Sequence, residues 1–279
     1  MLFKKSIINA SYIGSKNRKS LIDLSIPQKN NGKLIVFIHG YMGYKDWGCW
    51  NLVERYFNKL GYSFCKFNMS HNGGTEENGI DFPDTKAFEK NCYSYEIEDL
   101  EYVLNWINQK EEKTFKSIHL MGHSRGGAIA LLNANNDRVD SIITCAAICD
   151  IESRFPKGKK LEEWKENKIR FIKNGRTKQE LGHSYTQYED FILNQEKLNI
   201  KNACKKIKKP TLIFHGKEDE SVSINEGKKI AEWLNTSLNV IKNSKHTFGS
   251  SQPWNHDYLP KPLEELCYKT HFFLQNYFP

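Results

Sequence analysis

The stretch "SIHLMGHSRGGAIALL", residues 117–132, places a polar serine where an apolar run ends. Ile118 to Met121 are followed by Gly122-His123-Ser124-Arg125-Gly126 and then by an alanine-rich apolar segment. A serine at a tight strand-to-helix turn is held in strained backbone geometry, with its hydroxyl exposed above a sheet. The residues two before and two after it come close together, so both must be glycine. The helix that follows aims N–H groups at whatever reacts with the serine, and the Arg125 N–H is a donor for a developing oxyanion.

A hydroxyl is a poor nucleophile until a base takes its proton, and the imidazolium so formed needs a carboxylate to hold it. In a parallel sheet, functional groups gather at the C-terminal ends of strands. "LIFHGKEDESVS" supplies Asp219 beyond one late strand-like run, and "LNVIKNSKHTFG" supplies His246 beyond the next. The chain order Ser124, Asp219, His246 fits an acyl-transfer triad on an open α/β sheet. In "LIVFIHGYMGYKDW" a His-Gly pair ends an early run, and the Tyr41 N–H is expected as the second oxyanion donor. Asp150, after the run 141–148, is a rival for the acid, but its alternative is to cap the start of the next segment. His39, His123 and His215 lie inside these motifs and are expected to hydrogen-bond their own turns. His71, in a glycine-rich loop after a strand-like run, reads as part of a solvated loop with a place at the border of the site as its alternative, while His183, His256 and His271 carry no functional signal.

Elements that position such groups are legible around them. Short apolar runs read as buried strands at Leu34–Ile38, Ser63–Phe67, Ser117–Met121, Ser141–Ile148, Thr211–Phe214 and Leu238–Ile241. Helical patterns lie between most of them, notably "SYEIEDLEYVLNWINQK", with Ile97, Leu100, Val103, Leu104 and Ile107 on one face. This alternation predicts an α/β fold with a mostly parallel central sheet covered by helices on both faces. The chain reads as a single domain, 1–279, carrying a cap insertion over about 151–209. Within the insertion, "RFIKNGRTKQEL" has an Asn-Gly pair between strand-capable stretches, a hairpin signal. Its aromatics, Phe155, Trp164, Phe171, Tyr185, Tyr188 and Phe191, divide in unknown proportion between a small cap core and a substrate pocket.

Composition narrows the class. Of 279 residues, 39% are hydrophobic, which fills a core and excludes a disordered chain. No apolar run has the length of a membrane span, and the N-terminus lacks the apolar core and cleavage site of a secretory signal. Seven cysteines form no disulfide framework, so a reduced, cytoplasmic protein is expected. Segment 151–209 holds 16 Lys/Arg against 8 Asp/Glu, an excess equal to the whole net charge of +8. Its basic residues alternate with acidic ones and match no nucleic-acid module, so a solvated lysine-rich surface is expected, with neither nucleic acid nor membrane as partner.

With four motifs in order, the chain resembles the α/β-hydrolase superfamily along nearly its whole length. "KHTFGSSQPW" with "LPKPLEEL" is similar to the tails of dienelactone-hydrolase-like and prolyl-oligopeptidase-like members. The "HGYMGYKDW" loop and the short insertion resemble cinnamoyl (feruloyl) esterases. The resemblance implies Ser124 as nucleophile, His246 as base, Asp219 as acid, and the Tyr41 and Arg125 amides as oxyanion donors. Dienelactone hydrolases proper carry a cysteine nucleophile, and a serine stands here. The expected reaction is hydrolysis of a small carboxylic ester, short-chain or aryl-acyl, through an acyl-enzyme, with no metal or organic cofactor. A lysine-rich cap would also favour acyl groups bearing a carboxylate. Peptide cleavage, acyl transfer to another acceptor and a non-catalytic receptor remain open, as does the oligomeric state.

Overall fold

The computed structural model describes residues 3–111 and 114–279. Its strands, in chain order, are β1 (Phe3–Ile13), β2 (Lys19–Pro27), β3 (Lys33–Ile38), β4 (Ser63–Phe67), β5 (Ser117–His123), β6 (Ser141–Cys145), β7 (Ile169–Lys173), β8 (Glu180–Ser184), β9 (Thr211–Gly216) and β10 (Leu238–Ile241). Eight of them form one sheet in the order β1-β2-β4-β3-β5-β6-β9-β10, and β7 pairs with β8 as a separate hairpin. From β4 to β10 every pairing is parallel, while β1 and β2 run antiparallel at one edge. This N-terminal pair is absent from the sequence expectations, and the strand expected at 141–148 ends at Cys145 because Ala146 turns to φ +53°.

The helices are α1 (Trp50–Lys59), α2 (Thr85–Glu89), α3 (Tyr93–Lys110), α4 (Arg125–Leu132), α5 (Lys159–Asn167), α6 (Thr186–Leu193), α7 (Ile200–Lys206), α8 (Ile224–Trp233) and α9 (Lys261–Tyr277). Strand residues alternate between two cores, as the two-residue period demands. In β3, Leu34, Val36 and Ile38 face the core covered by α3, α4 and α8, while Ile35 and Phe37 face the one covered by α1 and α9. Burying each such side chain contributes about 1.5–3 kcal/mol, so the sheet that presents the strand ends is a firm platform. No described helix is long and apolar enough to cross a membrane.

The segment expected as a cap, residues 151–209, carries α5, the β7–β8 hairpin, α6 and α7. Phe155, Trp164, Tyr185 and Phe191 are buried and continuous with the core under α3 and α4, so the cap is packed onto the sheet layer. The β7–β8 hairpin occurs where the Asn-Gly signal placed it, with Ile169 opposite Ser184 and Lys173 opposite Glu180. Its connection is longer than a two-residue turn: Asn174 N donates to Gln179 O, and the positive φ falls on Lys178. Asn174 Oδ1 accepts from the N–H groups of Arg176 and Thr177, which explains the wider loop.

Candidate active site

The turn between β5 and α4 has the geometry its glycines require. Ser124 lies at φ 55°, ψ −119°, a strained conformation for a residue with a side chain. A Cβ on Gly122 would come within 2.2 Å of the Gly126 carbonyl oxygen, and one on Gly126 within 2.2 Å of the Ile38 oxygen. Both are backbone collisions, so neither glycine has a substitute. The turn is fastened to the next strand by Ser124 N donating to Cys145 O at 2.8 Å.

Asp219 sits three residues beyond β9 with its side chain wholly buried. Its Oδ1 accepts from Ser221 N and Val222 N, both at 2.9 Å. Oδ2 lies 2.8 Å from His246 Nδ1 and 3.3 Å from His215 Nε2. Burial alone would raise this carboxyl, but the hydrogen bonds from His215, His246 and the Val222 N–H hold it well below the ordinary carboxylate range. An ionised Asp219 takes the proton on His246 Nδ1 as its partner, which leaves Nε2 free to act as a base. Asp150 is exposed, lies on a separate groove and caps Ser153. Ser124 and His246 line the same two cavities, of about 370 and 270 Å³. Among the described residues, no hydrogen bond joins Ser124 Oγ to the His246 ring.

The remaining motif histidines fix the backbone around the serine. His39 accepts from Met69 N at 3.0 Å and donates to Gly40 O at 2.9 Å. His123 Nε2 donates to the carbonyl of His246 at 3.0 Å, tying the serine turn to the histidine loop. His215 Nε2 lies 2.9 Å from Val222 O. Burial pushes His39 down to about 4 and His123 down to about 3, so both stay neutral. The loop after β3 is held in turn by Gly48 N donating to Gln252 Oε1 and Cys49 N to Ser250 Oγ. Buried Lys45 and Lys66 pin the same loop to the sheet through Asp23, Asp46 and Glu54.

Tyr41 follows the His-Gly pair, and its N–H and that of Arg125 donate to no atom among the described residues. Both side chains also reach the larger cavity, which the motif reading did not anticipate. The Arg125 guanidinium lies between the Tyr41 and Tyr93 rings, 4.6 and 4.4 Å from their centroids, and pairs with Glu96 at 3.1 Å. Tyr41 Oη donates to His183 Nε2 at 2.7 Å, while His183 Nδ1 donates to Leu181 O. His183 is therefore part of the cavity wall, although no functional signal was read at it. No sequence signal marks it, because it meets Tyr41 only through cap packing.

His71 also departs from expectation. It is buried, accepts or donates at Ser70 Oγ at 2.8 Å and lines neither cavity. The cap's lysines are largely solvated, but Arg154 and Arg170 line the larger cavity, so its charge is not all spent on the surface.

A family model described as the alpha/beta hydrolase fold matches residues 33–172. The chain belongs to the α/β-hydrolase family. A curated relative in Mycoplasma pneumoniae, named "Putative esterase/lipase 2", is 31% identical over 97 residues, 35% of this chain and 30% of that relative's length. Among solved structures, the chain is similar to Est1E from Butyrivibrio proteoclasticus, solved with ferulic acid bound. That likeness has a TM-score of 0.70 at 19% identity and covers 95% of this chain and 100% of the other. A dienelactone hydrolase from Anabaena variabilis aligns with a TM-score of 0.63 at 16% identity, over 98% and 97% of the two chains. At these identities the structural likeness is one of fold.

Proposed function

We propose that this α/β-hydrolase is a serine esterase that cleaves small carboxylic esters through an acyl-enzyme. The observation that carries the reading is the 2.8 Å Asp219–His246 contact facing the cavity walled by a strained Ser124. Ser124 Oγ attacks the ester carbonyl as its proton passes to His246 Nε2. The Tyr41 and Arg125 N–H groups hold the oxyanion. Collapse expels the alcohol, which takes the proton from His246, and water repeats the sequence to release the acid. The Ser124–His246 hydrogen bond forms as substrate fills the cavity, as is common where apo geometry is loose.

Short-chain or aryl-acyl esters suit the site. Its two cavities are compact, and Tyr41, Tyr93 and Phe155 supply aromatic walls. The ferulic acid found in the Est1E structure is an acid of the aryl class. Helix α5 of the cap is no apolar lid: only Trp164 of it is buried and the rest is mostly charged. The seven cysteines are unpaired and buried, which supports a place in a reducing compartment such as the cytoplasm.

A fluorophosphonate probe tests the reading together with a panel of p-nitrophenyl esters. Ser124 should be labelled in native protein and not in Ser124→Ala, with kcat/KM highest for short or aromatic acyl groups. Labelling elsewhere, peptide cleavage faster than ester cleavage, or activation at an oil interface would each defeat it.

A further inference from the structure

Three guanidinium groups line the larger cavity beside Ser124, and they are not equivalent. Arg125 is neutralised by Glu96 and clamped between two tyrosine rings. Arg154 pairs with Glu226, whose other oxygen accepts from Cys149 N at 2.9 Å. The Arg170 guanidinium has no carboxylate partner and donates to no atom among the described residues, although its Nε is shielded from solvent. It is held instead by stacking 4.5 Å over the Trp164 ring. Trp164 is itself fixed, buried and donating from Nε1 to His183 O at 2.8 Å. His183, opposite Arg170 across the hairpin, stays neutral: burial, then the Arg170 and Arg125 charges, push it down to about 3.

The cavity wall therefore carries one positive charge without a counterion, on a planar fork held by an aromatic ring. A half-buried cation with unused N–H groups is costly unless something arrives to accept from it. A carboxylate is the group that fits a guanidinium fork in two parallel hydrogen bonds. We propose that Arg170 selects an ester carrying a free carboxylate on the half that occupies this cavity. The proposal rests on the esterase reading for its chemistry and refines the substrate class. It also relocates the expected source of anion preference from the cap's solvated lysines to a single residue of β7. Lysines at the surface would act by diffuse attraction, whereas Arg170 acts by contact.

Two ester sets distinguish which half bears the charge. In one, the carboxylate ends the acyl chain (alkyl hemiesters of dicarboxylic acids over a short series of lengths). In the other it ends the alcohol chain. Each is paired with an isostere whose carboxylate is a carboxamide. In one of the sets, kcat/KM should exceed that of the amide by about tenfold or more, as expected for a charged hydrogen-bonded pair. Arg170→Gln should bring that ratio close to one, and Arg170→Lys should leave an intermediate ratio, because charge survives without the fork. Ratios near one in both sets, with the amide esters still hydrolysed, would overturn the inference and leave the esterase reading standing. If no ester is hydrolysed, the esterase reading fails, and binding decides. Ser124→Ala protein should bind glutarate in a calorimeter more tightly than Ser124→Ala/Arg170→Gln, and equal or absent binding overturns the inference.

Discussion

Replacing Asp219 by asparagine changes one oxygen to an NH₂ group and nothing in shape. In the structure, Oδ1 accepts two backbone N–H groups while Oδ2 faces His246 Nδ1 and His215 Nε2. An amide has one acceptor for these two sets of donors. If its oxygen serves Ser221 and Val222, its NH₂ points at His246 Nδ1, which must then lose its proton to accept. The proton moves to Nε2, where the base should be, and Ser124 is left without an acceptor for its hydrogen. The alternative flip directs NH₂ at two backbone N–H groups and is no better. Asp219→Asn should therefore lower kcat by about 10³–10⁴ with KM little changed. Lost hydrogen bonds to the charged group cost about 1.5–3 kcal/mol each when unreplaced, so a lower thermal midpoint with cooperative unfolding is also expected. Steady-state hydrolysis of a short p-nitrophenyl ester, the rate of fluorophosphonate labelling and a thermal melt provide the readouts. Asp150→Asn serves as the control and should stay near wild type. A fully folded Asp219→Asn within about tenfold of wild type would refute the tautomer argument, and a collapse in Asp150→Asn would redirect the assignment.

Gly126→Ala drives a methyl into the Ile38 and His39 carbonyls at 2.2 and 2.5 Å. Loss of soluble protein or a drop of at least about 1–3 kcal/mol in stability is expected, whereas Gly175→Ala, with nothing within 4 Å, should be neutral in the same denaturant titration. Acid should also destabilise the fold. Burial holds His119, His123 and His183 near about 3 and His39 and His71 near about 4, against an ordinary 6.5. The unfolded chain then binds more protons below that ordinary value, so stability is present above it and falls with pH, by up to about 1.4 kcal/mol per pH unit for each histidine. Asp99, raised by burial to about 7, acts in the opposite sense over that window but is a single group. Thermal midpoints measured from about pH 7.5 to about pH 5 should decline; a flat or rising profile would contradict the burial argument.

The serine turn was legible because its constraint is local: the clash that forces Gly122 and Gly126 lies within a few residues. Asp219 and His246 could be placed because parallel strands deliver their following loops to one edge of the sheet. The N-terminal pair β1–β2 was not legible. Strand β2 is buried along nearly its whole length yet includes Ser20, Asp23 and Ser25, whose partners Asn68, Lys45 and Asn58 lie far off in sequence. Polar residues satisfied by distant groups erase the apolar pattern that marks a buried strand. The same holds for His183, whose partner Tyr41 is 142 residues away. In the cap, the hairpin was readable and its turn was not, because Asn174 spends its side chain on the loop backbone.

Along β7, Arg170 and Ile172 face the larger cavity and Asn174, just past its end, faces the smaller, while Phe171 and Lys173 between them are exposed. On the proposed reading, the wall that meets substrate is thus written on every second residue of one short strand. Exchanging a single inward residue would then edit the preference while leaving the hairpin pairing and the serine turn in place. Gaining or losing one residue there inverts the reading frame of the wall, sending Phe171 and Lys173 inward and the guanidinium out to solvent.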